Sequence, residues 1–384
     1  MKLLMRLIGT ALALACTACV TVQPPPALTS IKNPLACAPD AVRGVWIPTP
    51  RHTGFFESKE TIASHLKELS DVGINTVYVV MWNQGRTFYK SKVLKDLIGV
   101  EIDERMAGRD PLQEVITAAK PLNIKVYAWF EFGFATDHNN GTGREILEKK
   151  PQWAALKHDG SQLVNNKIRW MDAFNPEVQN FMTTLLLEVV NGYDVAGVQG
   201  DDRLPAFPSM GGYNPATQAK YTKQFNKPPP ANHKDPQWIQ WRADELTDFM
   251  DKLYVTLKKA KPSTTVSMAP SVWPWVRDEF LQDWPTWLKR GIVDEVTPQL
   301  YRKDIAAYER VIQPMARDQV SADKRNVVFP GLLLRLSDGY RVSEKLIEDM
   351  VAANRRENIC GEVYFFNEGV RDNLALFKKL YKSK

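Results

Sequence analysis

Short apolar runs and amphipathic stretches alternate along most of the chain. Residues 43–47 (Arg-Gly-Val-Trp-Ile) form a first run that stops at Pro48. Residues 61–73 place Ile62, Leu66 and Leu69 on one helical face, with Gly73 as the stop. Residues 76–82 are almost continuously apolar, as in a strand buried on both faces. Asp110-Pro111 opens a helix to about residue 121, with Asp as cap and Pro in the first turn. The run 125–132 follows, then a long loop, a helix over 175–191 with Pro176 at its first position, and a fourth run at 195–201. Beyond Lys227-Pro-Pro-Pro230 the pattern predicts helices over 238–260, 281–290, 305–318 (broken near Pro314), 342–357 and 373–381. Strands over 265–270, 295–301, 327–334 and 362–367 alternate with them.

Eight strand–helix units in succession predict a parallel sheet. Closed on itself, that sheet is a (β/α)8 TIM-type barrel, one α/β domain over 41–384 with two long βα loops. A doubly wound open sheet is the alternative, but no G-x-G-x-x-G follows the first strand.

The first 40 residues stand apart. Residues 1–18 carry Lys2 and Arg6, an apolar run from Leu7 to Ala15, and small residues, the pattern of a secretory signal too short to span a bilayer. Cys19 after Thr17-Ala18 fits a lipoprotein cleavage and acylation site, somewhat better than Cys16; an ordinary cleaved signal is the alternative. Residues 19–40, with Pro24-Pro25-Pro26 and no hydrophobic period, read as a tether. The expected location is therefore the bacterial periplasm, outer membrane or cell surface, with a lipid anchor as the only membrane contact. No later segment approaches 18 consecutive apolar residues, so the rest reads as soluble.

Composition sharpens this picture. Hydrophobic residues are 44% and charged residues 24%, as in a folded globular protein. The net charge of +6 comes without a basic block interleaved with aromatics, so nucleic-acid binding is not expected. The five His are scattered, so no metal site and no cofactor are expected. Eleven Trp and 12 Tyr suit sugar rings, although most should be core. Of the four Cys, Cys37 and Cys360 lie outside the signal. Cys37 precedes strand one and Cys360 precedes strand eight, neighbours in a closed barrel, so a disulfide is expected between them.

In such a barrel the chemistry lies at the C-terminal strand ends. These ends carry Trp46 and Arg51, then Trp82, Asn83 and Arg86, then Trp129 and Glu131, then Asp201, Asp202 and Arg203. Trp273 and Trp275, Gln299 and Tyr301, Arg335, and Asn367 and Glu368 complete the set. In Gly197-Val-Gln-Gly-Asp-Asp202, alternation turns Gln199 and Asp201 into the barrel and leaves Asp202 at the turn. Two close carboxylates raise each other's proton affinity, as needed for one neutral acid beside one anion. The competing reading of Asp-Asp is a turn or capping pair. Glu131 either lines the cleft or caps a loop. Gln299 and Tyr301 hold a sugar substituent or serve packing.

Arg43-Gly-Val-Trp46, Trp129-Phe-Glu-Phe-Gly133, Asp201-Asp-Arg-Leu-Pro205, Gly212-Tyr213, Trp238-x-x-Trp241-Arg242 and Pro298-Gln-Leu-Tyr301 together resemble the glycosyl-hydrolase-like 10 family. These are exported bacterial barrel proteins, often lipoproteins. The resemblance implies a glycosidase of N-acetylated cell-wall glycan strands of peptidoglycan type, with Asp201, Asp202 and Glu131 as catalytic candidates. Trp46, Arg86, Trp129, Arg203, Trp273, Gln299, Tyr301 and Glu368 are the candidates for substrate binding. Members commonly carry Asp-Gly in strand four where this chain has Ala196-Gly197. A more distant likeness to chitinase-type barrels implies attack by the substrate's own acetamido group, with Asp202 as acid, Asp201 as its partner and Tyr301 on the acetamido oxygen. Direct displacement using Glu131 or Glu368 with the Asp pair is the other route. A catalytically inactive glycan-binding lipoprotein, or a hydrolase of another polysaccharide, is the alternative function.

Overall fold

The computed structural model describes residues 37–138 and 141–382. The expected signal, Cys19 and most of the tether lie outside the described residues.

Eight parallel strands form one sheet: β1 (Arg43–Ile47), β2 (Thr76–Val80), β3 (Lys125–Trp129), β4 (Gly197–Gly200), β5 (Thr265–Met268), β6 (Glu295–Val296), β7 (Gly331–Leu333) and β8 (Glu362–Phe365). Their spatial order is β6-β5-β4-β3-β2-β1-β8-β7. Parallel bridges from Val296 to Val328 and from Gln299 to Gly331 join β6 to the β7 segment and close the barrel. The main helices between the strands are α1 (Lys59–Asp71), α2 (Pro111–Ala119), α3 (Pro176–Gly192), α4 (Pro236–Ala260), α5 (Trp284–Arg290), α6 (Ile305–Pro314) and α7 (Glu344–Arg356), with α8 (Leu374–Lys382) last. The predicted caps are present: Asp110 accepts from the Gln113 amide, and Pro111 opens α2.

The strands are shorter than the apolar runs that announced them. The run 76–82 divides after Val80, and Trp82–Asn83 pairs antiparallel with Arg86–Thr87. The run 295–301 is a two-residue strand because Pro298 has no amide hydrogen, and pairing resumes at Gln299. The helix expected from 281 starts at Trp284, because Leu281 is left-handed and ends a separate helix, Trp275–Phe280. Further short helices at Lys92–Ile98, Arg144–Lys149 and Pro215–Phe225 occupy the βα loops, as does a three-stranded sheet formed by Ala135–His138, Ile168–Trp170 and Val164–Asn165.

Side chains fill the barrel. Tyr78 lies against Tyr127, and Trp46 against Trp129 and Tyr78. Gly197 makes this possible: a Cβ there would sit 2.4 Å from the Thr265 carbonyl and 2.6 Å from the Tyr127 ring. The Cys37–Cys360 disulfide forms at the β1–β8 seam, with Cα atoms 5.4 Å apart. Among the described residues no helix is long and apolar enough to cross a membrane. No cluster of three or more His, Cys, Asp or Glu suited to a metal occurs among them either.

Candidate active site

Strand β4 aims its inward face as the alternation requires. Gln199 is fully buried, accepts from Trp46 Nε1 at 2.8 Å and donates to Ser267 Oγ at 3.0 Å. Two residues on, Asp201 leaves the strand at the barrel mouth and is only 2% exposed. Trp129 Nε1 donates to Asp201 Oδ2 at 2.7 Å, and Gln299 Nε2 donates to Oδ1 at 2.6 Å. The Gln282 amide holds the Asp201 carbonyl at 2.8 Å, tying the loop after β5 to this turn. Every side-chain donor to Asp201 is neutral, so burial pushes its carboxyl well above the usual carboxylate range. The neighbouring Asp202 adds to that rise, and Arg203 opposes it.

Asp202 is half-buried, and its Oδ1 stands 3.0 Å from Arg203 NH1. The same guanidinium nitrogen donates to the Glu131 carbonyl at 3.0 Å and so ties the ends of β3 and β4 together. Arg203 also lies over the Phe132 ring, 5.1 Å from its centre. The two loops approach so closely that a Cβ on Gly133 would stand 2.1 Å from the Arg203 carbonyl, and Gly133 takes a φ of +47°.

The Glu131 side chain receives Asn83 Nδ2 at 2.6 Å. Burial raises its pKa; Arg203 and the Asn83 bond oppose the rise, and Asp202 strengthens it. Tyr301 faces the same group. Burial, then the Asp201, Asp202 and Glu131 charges, push its phenol far up, so it stays a proton-bearing donor. Its ring packs on Phe365 at 5.2 Å and meets Trp46 edge-on at 6.4 Å. The mouth thus gathers two carboxyls inclined to keep a proton, one carboxylate paired with Arg, and a phenol.

Several expected binding residues are placed elsewhere. Trp46 and Trp129 are 1% and 3% exposed, so their rings form the floor and aim N–H groups at Gln199 and Asp201 rather than presenting faces to a sugar. Arg86 is buried in the loop after β2, between Glu104 and Glu145, and organises that loop. Trp273 lies in a side cleft, donating to Asp283 and lying under Arg277. Glu368 accepts from Thr53 Oγ1 at 2.7 Å and pairs with Arg371 at 3.0 Å, on the β1 and β8 side of the mouth. Gln282 went unnoticed in the sequence because a lone Gln between two short helices carries no periodic signal. Ala196, the departure from the family pattern, takes part through its backbone, donating to Val126 and accepting from Thr265.

The description "Glycosyl hydrolase-like 10" matches residues 41–345. The glycosyl hydrolase DigH of Escherichia coli (strain K12) is 26% identical over 333 residues, covering 76% of this chain and 73% of the relative. The glycosyl hydrolase YngK of Bacillus subtilis (strain 168) is 26% identical over 291 residues, covering 68% of this chain and 54% of the relative. Among solved structures, the PgaB (BpsB) glycoside hydrolase domain from Bordetella bronchiseptica matches with a TM-score of 0.66 at 14% identity, covering 90% of this chain and 99% of that one. Alpha-L-fucosidase isoenzyme 2 from Paenibacillus thiaminolyticus matches with a TM-score of 0.63 at 16% identity, covering 89% of this chain and 49% of that one. The chain belongs to the glycosyl hydrolase-like 10 family: it is a glycosidase on a TIM-type barrel, with a polysaccharide for its substrate.

Proposed function

We propose that this glycosidase cleaves N-acetylated cell-wall glycan strands of peptidoglycan type, with help from the substrate's acetamido group. The observation that carries the reading is the grouping of a carboxyl whose pKa burial raises, Glu131, an Arg-paired carboxylate, Asp202, and a protonated phenol, Tyr301, around one mouth. Glu131 gives its proton to the leaving glycosidic oxygen as the anomeric C–O bond breaks. The acetamido oxygen forms the new bond to the anomeric carbon, Asp202 steadies the positive charge arising on the acetamido nitrogen, and Tyr301 orients that group by hydrogen bonding. Water then attacks the anomeric carbon, the cyclic intermediate opens, and a proton returns to Glu131. Asp201, held by Trp129 and Gln299, keeps the Asp202 turn in place. This assigns the acid role to Glu131 rather than Asp202, because Asp202 is ion-paired with Arg203 whereas the Glu131 side chain is held by the neutral Asn83 amide.

The proposal includes export and acylation at Cys19, so that the barrel works on the wall from a membrane tether. Purified protein incubated with peptidoglycan, intact and stripped of its peptides, should release soluble fragments with new reducing ends, read by mass spectrometry. Asp202→Asn should abolish them. Release of none by the wild-type protein would refute the substrate assignment, and an unacylated mature N-terminus from the native host would refute the anchor.

A further inference from the structure

Two clefts open near the barrel mouth, and two guanidiniums, those of Arg51 and Arg105, line both. The first, about 530 Å3, is walled in part by Asn83, the donor to Glu131, and by Arg51. The second, about 660 Å3, presents five arginines against two glutamates. Four of the five are engaged: Arg105 with Asp103, Arg109 with Glu114, Arg335 with Asp372, and Arg371 with Glu68 and Glu368. Arg51 is different. It is exposed, on the loop after β1, and has no hydrogen-bond or ion-pair partner among the described residues. Burial and the Arg51 charge hold the adjacent His52 below its ordinary pKa, so His52 brings a neutral ring rather than a second cation.

A free guanidinium presents a planar fork of donors that matches a carboxylate through two parallel bonds. Paired arginines fix the cleft walls, their charges compensated by the acids they hold; the unpaired one is left to meet a ligand. Its place where the two clefts join puts it on the path of a glycan running away from Glu131. We propose that Arg51 is a subsite for a carboxylate borne by the glycan, so that the enzyme selects an anionic strand over a neutral one. This rests on the wall-glycan reading above. The carboxylate belongs either to a substituent on the sugar itself or to an attached peptide, and both offer the same fork-to-fork chemistry.

The test uses the full protein and two glycan preparations, one carrying stem peptides and one stripped of them, each as free acid and as methylamide. For wild type, converting carboxylates to amides should raise KM about tenfold and leave kcat within twofold, the scale of one charge-assisted contact. Arg51→Gln should show the same raised KM on the free acid, and amidation should add nothing further. The preparation whose KM responds to amidation identifies the carrier of the carboxylate. An unchanged melting temperature for Arg51→Gln confirms that the fold is intact. Equal KM values for acid and amide forms of both preparations with the wild-type enzyme overturn the subsite. If no strand is cleaved, the wall-glycan reading falls instead, and calorimetric binding to the same acid and amide strands still decides the role of Arg51.

Discussion

Buried carboxylates stand at both ends of this barrel, and their partners differ in kind. At the start of β8, Glu362 is fully buried and receives two bonds from Arg355, each 2.9 Å. Tyr381 adds a third donor. At the other end Asp201 is almost as deep, yet its side-chain donors are an indole and an amide. A full opposing charge compensates desolvation; neutral donors compensate only part of it. Glu362 is therefore ion-paired and serves the structure. Asp201 is left able to hold a proton, an arrangement that stability alone would not favour.

The comparison breaks most sharply if the lower pair is dismantled. Arg355→Met leaves Glu362 buried without its counter-charge and should destabilise the protein by about 3–5 kcal/mol, read by denaturant unfolding. Turnover at a temperature where the variant stays folded should match wild type. A loss below about 1 kcal/mol would show that Glu362 is not held by that charge. At the mouth the order reverses. Glu131→Gln and Asp202→Asn should each lower turnover at least about a hundredfold and leave the melting temperature within a few degrees of wild type. Near-wild-type turnover in both would remove the site from this end of the barrel.

Glu295 sharpens the rule, since it lies in the barrel but shares the partner type of Asp201. Its one side-chain donor is the Tyr127 hydroxyl at 3.1 Å, and burial raises it from 4.5 to about 7. A carboxyl with a raised folded pKa contributes stability that is fully present below the unfolded value and lost as pH rises through the folded one. Between about pH 4.5 and 7, wild type should therefore lose stability relative to Glu295→Gln, on the order of 3 kcal/mol in all. Turnover should be unaffected, because Glu295 does not reach the mouth. Parallel stability–pH curves for the two proteins would mean that Glu295 is ionised throughout.

Much of this was legible in the sequence because it depends on period and order. Eight alternating units predict the barrel, and closure places Cys37 beside Cys360. Strand alternation turns Gln199 and Asp201 inward, and both point there. What alternation cannot decide is how far a side chain stands above the core. Trp46 and Trp129 occupy mouth-facing positions, but neighbouring rings cover them. Arg86 is drawn into a local hairpin by acids 18 and 59 residues away, which no strand-end count reveals. Glu131 owes its raised pKa to burial, which depends on how distant segments pack around it rather than on its own run.

Gln299 offers the finest cut between the two kinds of partner. Its amide nitrogen donates to Asp201 Oδ1 at 2.6 Å and to the Ala269 carbonyl at 2.8 Å; both partners are acceptors, so the NH2 group must face them. Gln299→Met keeps the length and removes the donor. A bond to an ionised carboxyl favours the ionised form, so its loss should move the Asp201 ionisation further up, by about one pH unit for a bond of ordinary strength. In the pH dependence of kcat/KM, the limb set by Asp201 should shift to higher pH by that amount, with the plateau within a few-fold of wild type. Arg355→Met installs the same side chain at the other end and should leave that limb where it is. A purely packing role for Gln299 would lower stability at every pH without moving the limb, and a limb unmoved in Gln299→Met would strip Asp201 of its part in the proton inventory of the mouth.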